Sequence, residues 1–218
     1  MPKIVPIVEG EGEVTALPPL LTNALHRMGV YDISVSLPKN AKGRDNLIKP
    51  SGLETFLERA LIDKDCGAVL VLLDAEDGCA LQIARGFAAR IAARNPPCVV
   101  AVVGAAPMFE NWIVASLETV RGQPLGGRPG IAANNLIPPD AEAVKGKAFL
   151  NHAFPRNSGR AYKETLDQEA MARLIDHDLA HTNSRSFRRF VNAVAQMTDA
   201  IRGGTVVVTP EPMLRAAP

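Results

Sequence analysis

The sequence predicts an α/β protein, a mostly parallel sheet flanked by helices with a helical C-terminal extension. Three observations predict it. Apolar runs of strand length recur at residues 3–8, 68–73 and 98–103, and uninterrupted runs of this kind mark strands buried on both faces. Between them lie stretches whose apolar residues return every three or four positions, the period of a helix facing a core. Strands alternating with helices imply a parallel sheet with right-handed crossovers.

The elements follow in order. Residues 3–8 are rich in Ile and Val and stop at Glu9-Gly10-Glu11-Gly12-Glu13, a buried strand followed by a tight turn. Val14, Leu17, Leu20, Leu21, Leu25 and Met28 predict a helix over 13–28, despite Pro18 and Pro19. Ile33, Val35 and Leu37 alternate with polar residues, as in a half-exposed strand. Residues 39–49 read as a basic loop, and Ser51 as the cap of a helix running to 64. The run 68–73 ends at Asp74-Ala75-Glu76-Asp77-Gly78. A helix over 80–94, a strand over 98–103 and a short helix reaching 120 follow, with Trp112 in the core.

Residues 121–140 are dense in Gly, Pro and Asn and read as a loop or linker between a core of residues 1–120 and an extension over 141–218 that packs on it. In the extension, Leu166, Met171, Leu174, Ile175 and Leu179 predict one helix. Phe187, Phe190, Val191, Val194 and Met197 predict a second, stopped by Gly203-Gly204.

Composition narrows the function. With 218 residues and 47% hydrophobic content the chain can bury a substantial core. Its 24 Lys and Arg against 23 Asp and Glu argue against a protein that coats nucleic acid with a broad basic surface. Two local clusters remain candidates for the phosphate backbone: Lys39, Lys42 and Arg44, and Arg185, Arg188 and Arg189. Each reads equally as a solvated face. Cys66, Cys79 and Cys98 lack CxxC spacing and read as small buried residues in a reducing compartment. The N-terminus resembles neither a signal peptide nor a membrane span, so a cytoplasmic location is expected.

The acidic residues carry the sharpest expectation. Glu9 and Glu13 follow the first strand, Asp74, Glu76 and Asp77 the third, and Glu110 comes shortly after the fourth. In an open α/β sheet all three groups meet at the carboxyl edge, where ligands gather. Converging carboxylates repel unless a cation neutralises them. Magnesium, or manganese, accepts hard oxygen ligands and retains water, and the chemistry such a site supports is phosphoryl transfer, with Lys163 or Arg160 offsetting charge. Taken singly, Glu9 and Asp74 read equally as partners of helix N-termini, and Glu11 and Glu76 as solvated; the joint occurrence at two strand ends favours a site.

Other constellations are weaker. His177 and His181 are spaced i, i+4, but neither they nor His152 belong to an HExxH pattern, which disfavours a metal role. Ser158 and the cysteines lack the context of a nucleophile. Gly10-Glu11-Gly12 is acidic where a dinucleotide's pyrophosphate would sit.

Val8-Glu9-Gly10 with Glu13 following, and an apolar strand ending in Asp74-Ala75-Glu76-Asp77-Gly78, resemble the Toprim domain of topoisomerases, bacterial primases and OLD-family nucleases over roughly residues 3–120. The resemblance implies a Rossmann-like sheet and magnesium-dependent nuclease chemistry, with Glu9 as the magnesium-holding glutamate and Asp74 as the first aspartate. Toprim proteins place the second aspartate two residues later, where this chain has Glu76, so either Glu76 or Asp77 takes that position. The tail segments Tyr162-Lys163-Glu164-Thr165-Leu166 and Ser186-Phe187-Arg188-Arg189 resemble a bacterial family of Toprim-like proteins encoded beside AAA-type ATPases. That likeness implies a nuclease subunit acting on nucleic acid in phage defence with a separate ATPase, since the sequence holds no Walker-type loop. A non-catalytic interaction or nucleic-acid-binding subunit is the alternative, and a homo-oligomer stays open.

Overall fold

Alternation within the apolar runs organises the molecule. The computed structural model describes residues 1–155 and 159–212; Ser158 lies outside them. In chain order the elements are β1 (Lys3–Val8), α1 (Glu11–Arg27), β2 (Ser34–Val35), β3 (Lys39–Asn40), α2 (Asp45–Ile48), α3 (Gly52–Leu61), β4 (Cys66–Asp74), α4 (Ala80–Ala92), β5 (Val99–Ala105), α5 (Glu110–Ala115) and α6 (Leu117–Val120). There follow a 3-10 turn at Ala141–Ala143, α7 (Gly146–Ala153), α8 (Glu164–Ala172), α9 (His177–Asn183), α10 (Arg185–Gly203) and β6 (Val208–Thr209).

The described strands form one parallel sheet in the order β2-β1-β4-β5-β6, with β3 also pairing β1. Successive side chains of a strand point to opposite faces. Ile4, Val8, Leu70, Leu72, Ala101 and Val103 therefore face one layer, built from α1, α5, α8 and α10. Val5, Ile7, Val69, Val71, Val100 and Val102 face the other, built from α3 and α4. Each such buried Val or Leu contributes about 1.5–3 kcal/mol, so both faces are needed to hold the sheet.

From β1 the chain moves to β2 and β3 on one side, then returns to lay β4 on the other side of β1. The crevice between the carboxyl ends of β1 and β4 is thus a topological switch point, where ligands bind in open α/β sheets.

The tail belongs to the same body. α10 packs on β5 and α1, α8 packs on α1, and β6 extends the sheet beyond β5. Trp112 is fully buried, donates to Ser186 Oγ (2.9 Å) and packs against Phe109, Phe187 and Phe190.

Several local expectations are corrected. The single helix expected over Leu166 to Leu179 is two, α8 and α9, because the Asp176 carboxylate caps α9 by accepting the N–H groups of Asp178 and Leu179 (both 2.9 Å). The second strand shrinks to two residues, with Leu37 exposed ahead of Pro38. Ser51 precedes α3 in a left-handed conformation (φ 59°) and makes no side-chain capping bond. The basic loop contains β3 and α2, and α7, whose Leu150 and Ala153 are buried, is an element not expected from the sequence. Cys79 is exposed, and Cys66 and Cys98 are half-buried, rather than all three being core. Among the described residues no helix is long and apolar enough to cross a membrane.

Candidate acidic site at the strand ends

Glu9 sits one residue past β1, and its Oε1 accepts the backbone N–H of Asp74 (3.1 Å), tying the ends of β1 and β4 together. Asp74 closes β4, and its Oδ1 accepts the Phe109 N–H (2.9 Å), which ties β4 to the turn before α5. Glu13, in the first turn of α1, folds back so that Oε2 accepts the Gly10 N–H (2.9 Å), a helix-capping arrangement. Its other oxygen approaches Gln168 Nε2 of α8 at 3.5 Å. Gly12 permits that approach, since a Cβ there would run into the Gln168 side chain. Glu110 opens α5, is 4% exposed, and accepts the Tyr162 hydroxyl (3.1 Å). Lys147 of α7 pairs with Glu164 at the start of α8.

Burial and mutual repulsion set the charge state of this cluster. Burial pushes Glu9 up to about 7; the Asp74 N–H and Arg44 oppose the shift, while Glu13 and Glu76 add to it. Asp74 is raised well above the usual carboxylate range, first by burial and then by Glu13, Glu110 and Glu9. Burial likewise lifts Glu110 to about 7, with Glu13 adding to the shift. The Tyr162 hydroxyl is raised by burial and then by Glu110, so it remains a donor. Lys147 is held protonated first by Glu164, with further support from Glu110 and Asp74.

Among the described residues, no three Asp, Glu, His or Cys side chains stand close enough to enclose a metal ion. Arg44 explains part of the arrangement. Its Nη1 donates to the Asp74 carbonyl (3.2 Å) and to Glu76 Oε2 (2.9 Å), holding Glu76 on the rim. Glu76 and Asp77 are exposed and line an open cleft of about 700 Å³ together with Lys42 and Arg44. The donors of the cluster are all oxygens, which fits a hard divalent cation, and magnesium commonly takes only one or two carboxylates and keeps water in its remaining positions.

Four of the expected acidic residues, Glu9, Glu13, Asp74 and Glu110, thus act on one another, and Glu76 is joined to them through Arg44. Lys163 is exposed and contributes its backbone N–H to Asp167 Oδ2 (2.8 Å), whereas Lys147 is the ammonium that feels the cluster. Arg160 is engaged by the buried carboxylate of Asp167, which also pairs with Arg128 (2.8 Å). The basic candidates separate. Lys39 pairs with Asp63 (2.8 Å), while Lys42 and Arg44 border the acidic cleft. Arg185 pairs with Glu142 (3.2 Å), and Arg188 donates to the carbonyls of His181 (2.7 Å) and Thr182 (3.0 Å), closing the end of α9. Arg189 lines a separate small cavity between α4 and α10. His177 is buried edge-on against Phe187, and burial lowers it to about 4, so it is a neutral core residue; His152 and His181 are exposed.

Sequence reasoning missed Lys147, Glu164, Tyr162 and Gln168. The segment Tyr162-Lys163-Glu164 was visible, but its helix start turns Tyr162 and Glu164 to the cluster rather than Lys163. Lys147 carries no local signal.

A family described as a domain of unknown function (DUF4276) matches residues 8–195, and the chain belongs to that family. No curated protein and no solved structure matches the chain.

Proposed function

We propose that the chain is a magnesium- or manganese-dependent nuclease that hydrolyses phosphodiester bonds in nucleic acid, in the manner of Toprim and OLD-family enzymes. The observation that carries this reading is the meeting of Glu9, Asp74 and Glu110, from beside three neighbouring strands, at the switch point between β1 and β4. Glu9 and Asp74 would hold the cation, and each already has one oxygen fixed by a backbone N–H. The Glu13 and Glu110 carboxyls lie beside it, and Glu76, paired with Arg44, is the candidate for the second acidic position in preference to Asp77. A divalent cation bound there would neutralise phosphate charge and lower the pKa of a bound water. Lys147 supplies a positive charge beside the carboxylates, and Arg44 a second one on the cleft wall. A separate AAA-type ATPase in a phage-defence assembly belongs to the same proposal.

The test is incubation of purified protein with supercoiled plasmid, single-stranded DNA or RNA in magnesium, manganese or chelator. Divalent-dependent cleavage should fall by about 100-fold or more in Glu9→Ala and Asp74→Ala, in line with the loss of a metal-centred charge stabiliser. Retained cleavage in Asp74→Ala would sink the assignment.

One observation favours a second reading, a non-catalytic subunit that binds nucleic acid or an ATPase. Arg44 already neutralises Glu76 and contacts the Asp74 backbone, so a cation is not required to keep the rim together. Nucleic-acid binding without cleavage under any divalent condition would select that reading.

A further inference from the structure

A second cleft, of about 430 Å³, lies beside the acidic one, and Lys42 and Asn46 line both. Its charge is of one sign. Lys42, Lys49 and Arg59 line it, and no carboxylate does. α3 also carries Glu54 and Glu58, but these pair with Arg90 (2.7 Å) and Arg94 (3.3 Å) of α4. Among the described residues Lys42, Lys49 and Arg59 join no ion pair. In a chain of net charge +1 this surplus is a local feature, and a concave basic surface concentrates anions.

The groove also holds an aromatic ring, Phe56, which packs in part on the core beneath α3. The Arg59 guanidinium lies over the partly exposed Phe56 ring, 5.3 Å from its centroid. An aromatic ring beside cations accepts unpaired bases of any sequence, while the cations meet the phosphates. Lys49 is oriented by Asn46, whose Oδ1 accepts from Nζ (2.8 Å), and Asn46 is itself anchored to the carbonyls of Ala41 (2.9 Å) and Lys42 (3.0 Å). The Lys42 backbone and the Lys49 ammonium are therefore tied to the same side chain, that of Asn46. The boundary at Asn40 is marked by its bond to Glu11 (2.6 Å).

We propose that this groove binds single-stranded nucleic acid and leads it to the acidic site, with Lys42 at the junction, Lys49 and Arg59 on successive phosphates and Phe56 stacked on a base. The direction of the strand rests on the nuclease reading of the acidic site; the binding itself does not.

The experiment is fluorescence anisotropy with labelled oligothymidylate and oligouridylate, and a duplex for comparison, titrated with the full chain in chelator across a range of salt. Neither metal nor cleavage enters the readout. Lys49→Glu/Arg59→Glu should weaken single-strand binding about tenfold or more and reduce the slope of log affinity against log salt by about 1.4, the value for two phosphate contacts on a single strand. Phe56→Ala should weaken binding several-fold and leave that slope unchanged. Lys64→Glu/Arg173→Glu makes the same charge change at exposed positions elsewhere and should bind as the parent does. Unchanged circular dichroism and melting confirm that each variant is folded. Parent-like affinity in Lys49→Glu/Arg59→Glu, equal weakening in the control, or binding to duplex alone or to none of the probes would overturn the proposal. Failure to cleave would remove the nuclease reading while leaving this binding result standing.

Discussion

Glu9 and Glu110 are each lifted to about 7 by burial among like charges, so folding forces protons onto carboxyls that an unfolded chain would release. A carboxyl raised in this way contributes stability that is fully present below its ordinary value, 4.5, and is lost as pH rises through about 7. His177 has the opposite sign: lowered to about 4, it contributes stability present above 6.5 and lost as pH falls toward 4. In chelator, the melting temperature of Glu9→Gln should therefore exceed that of the parent at about pH 8, and the two should draw together near pH 4.5, where the parent carboxyl is protonated anyway. Parallel melting curves across that range would show that Glu9 does not carry the strain. Of these residues Glu9 and Asp74 were legible, because each ends an apolar run. Lys147 was not, because nothing within its own segment relates it to residues 74 or 110.

At the scale of elements, α1 and α8 meet where Gly12 faces Gln168, and this contact sets the distance between Glu13 and the tail. Gly12→Ala places a methyl group against the Gln168 amide, and overpacking of this kind costs about 1–3 kcal/mol. Urea denaturation should record that loss, and Gly12→Ala/Gln168→Ala should recover part of it by removing the obstructing side chain. The long strands were legible as uninterrupted apolar runs, and α1, α3, α4 and α10 as helices between and after them. α9 was hidden because Leu174, Ile175 and Leu179 continue the period of α8 across Asp176, whose carboxylate starts a new helix. Buried strands advertise themselves through composition, whereas a helix break depends on one side chain turning back to its own backbone.

At the scale of the molecule, the tail joins α1 and α5 in covering one sheet face. Ile4, Val8, Leu70, Leu72, Ala101 and Val103 share a core with Met171, Phe187, Phe190 and Val194. A chain ending after Asp140 would leave that face open, and it should lack a cooperative unfolding transition and should bind a hydrophobic dye. A sharp transition in the shortened chain would establish residues 1–140 as an independent unit. The complete architecture also ties the acidic site to the tail, since Tyr162 reaches Glu110, Gln168 reaches Glu13 and Glu164 reaches Lys147 with α8 lying on α1.

The sequence by itself determined the α/β class, the two-faced burial of β1, β4 and β5, and the presence of acidic residues at strand ends, because periodicity and run length are local properties of a chain. Tertiary structure alone decided that Glu76 turns to Arg44, that Lys147 pairs with Glu164 beside the cluster, and that cations of α3 and its approach form a groove beside it. The first two depend on groups far apart in sequence, Arg44 with Glu76 and Lys147 with Asp74 and Glu110, whereas the groove gathers residues 40–59 by the way β3, α2 and α3 fold on one another. Burial then makes each charge depend on its neighbours, and no local pattern encodes which neighbours those will be.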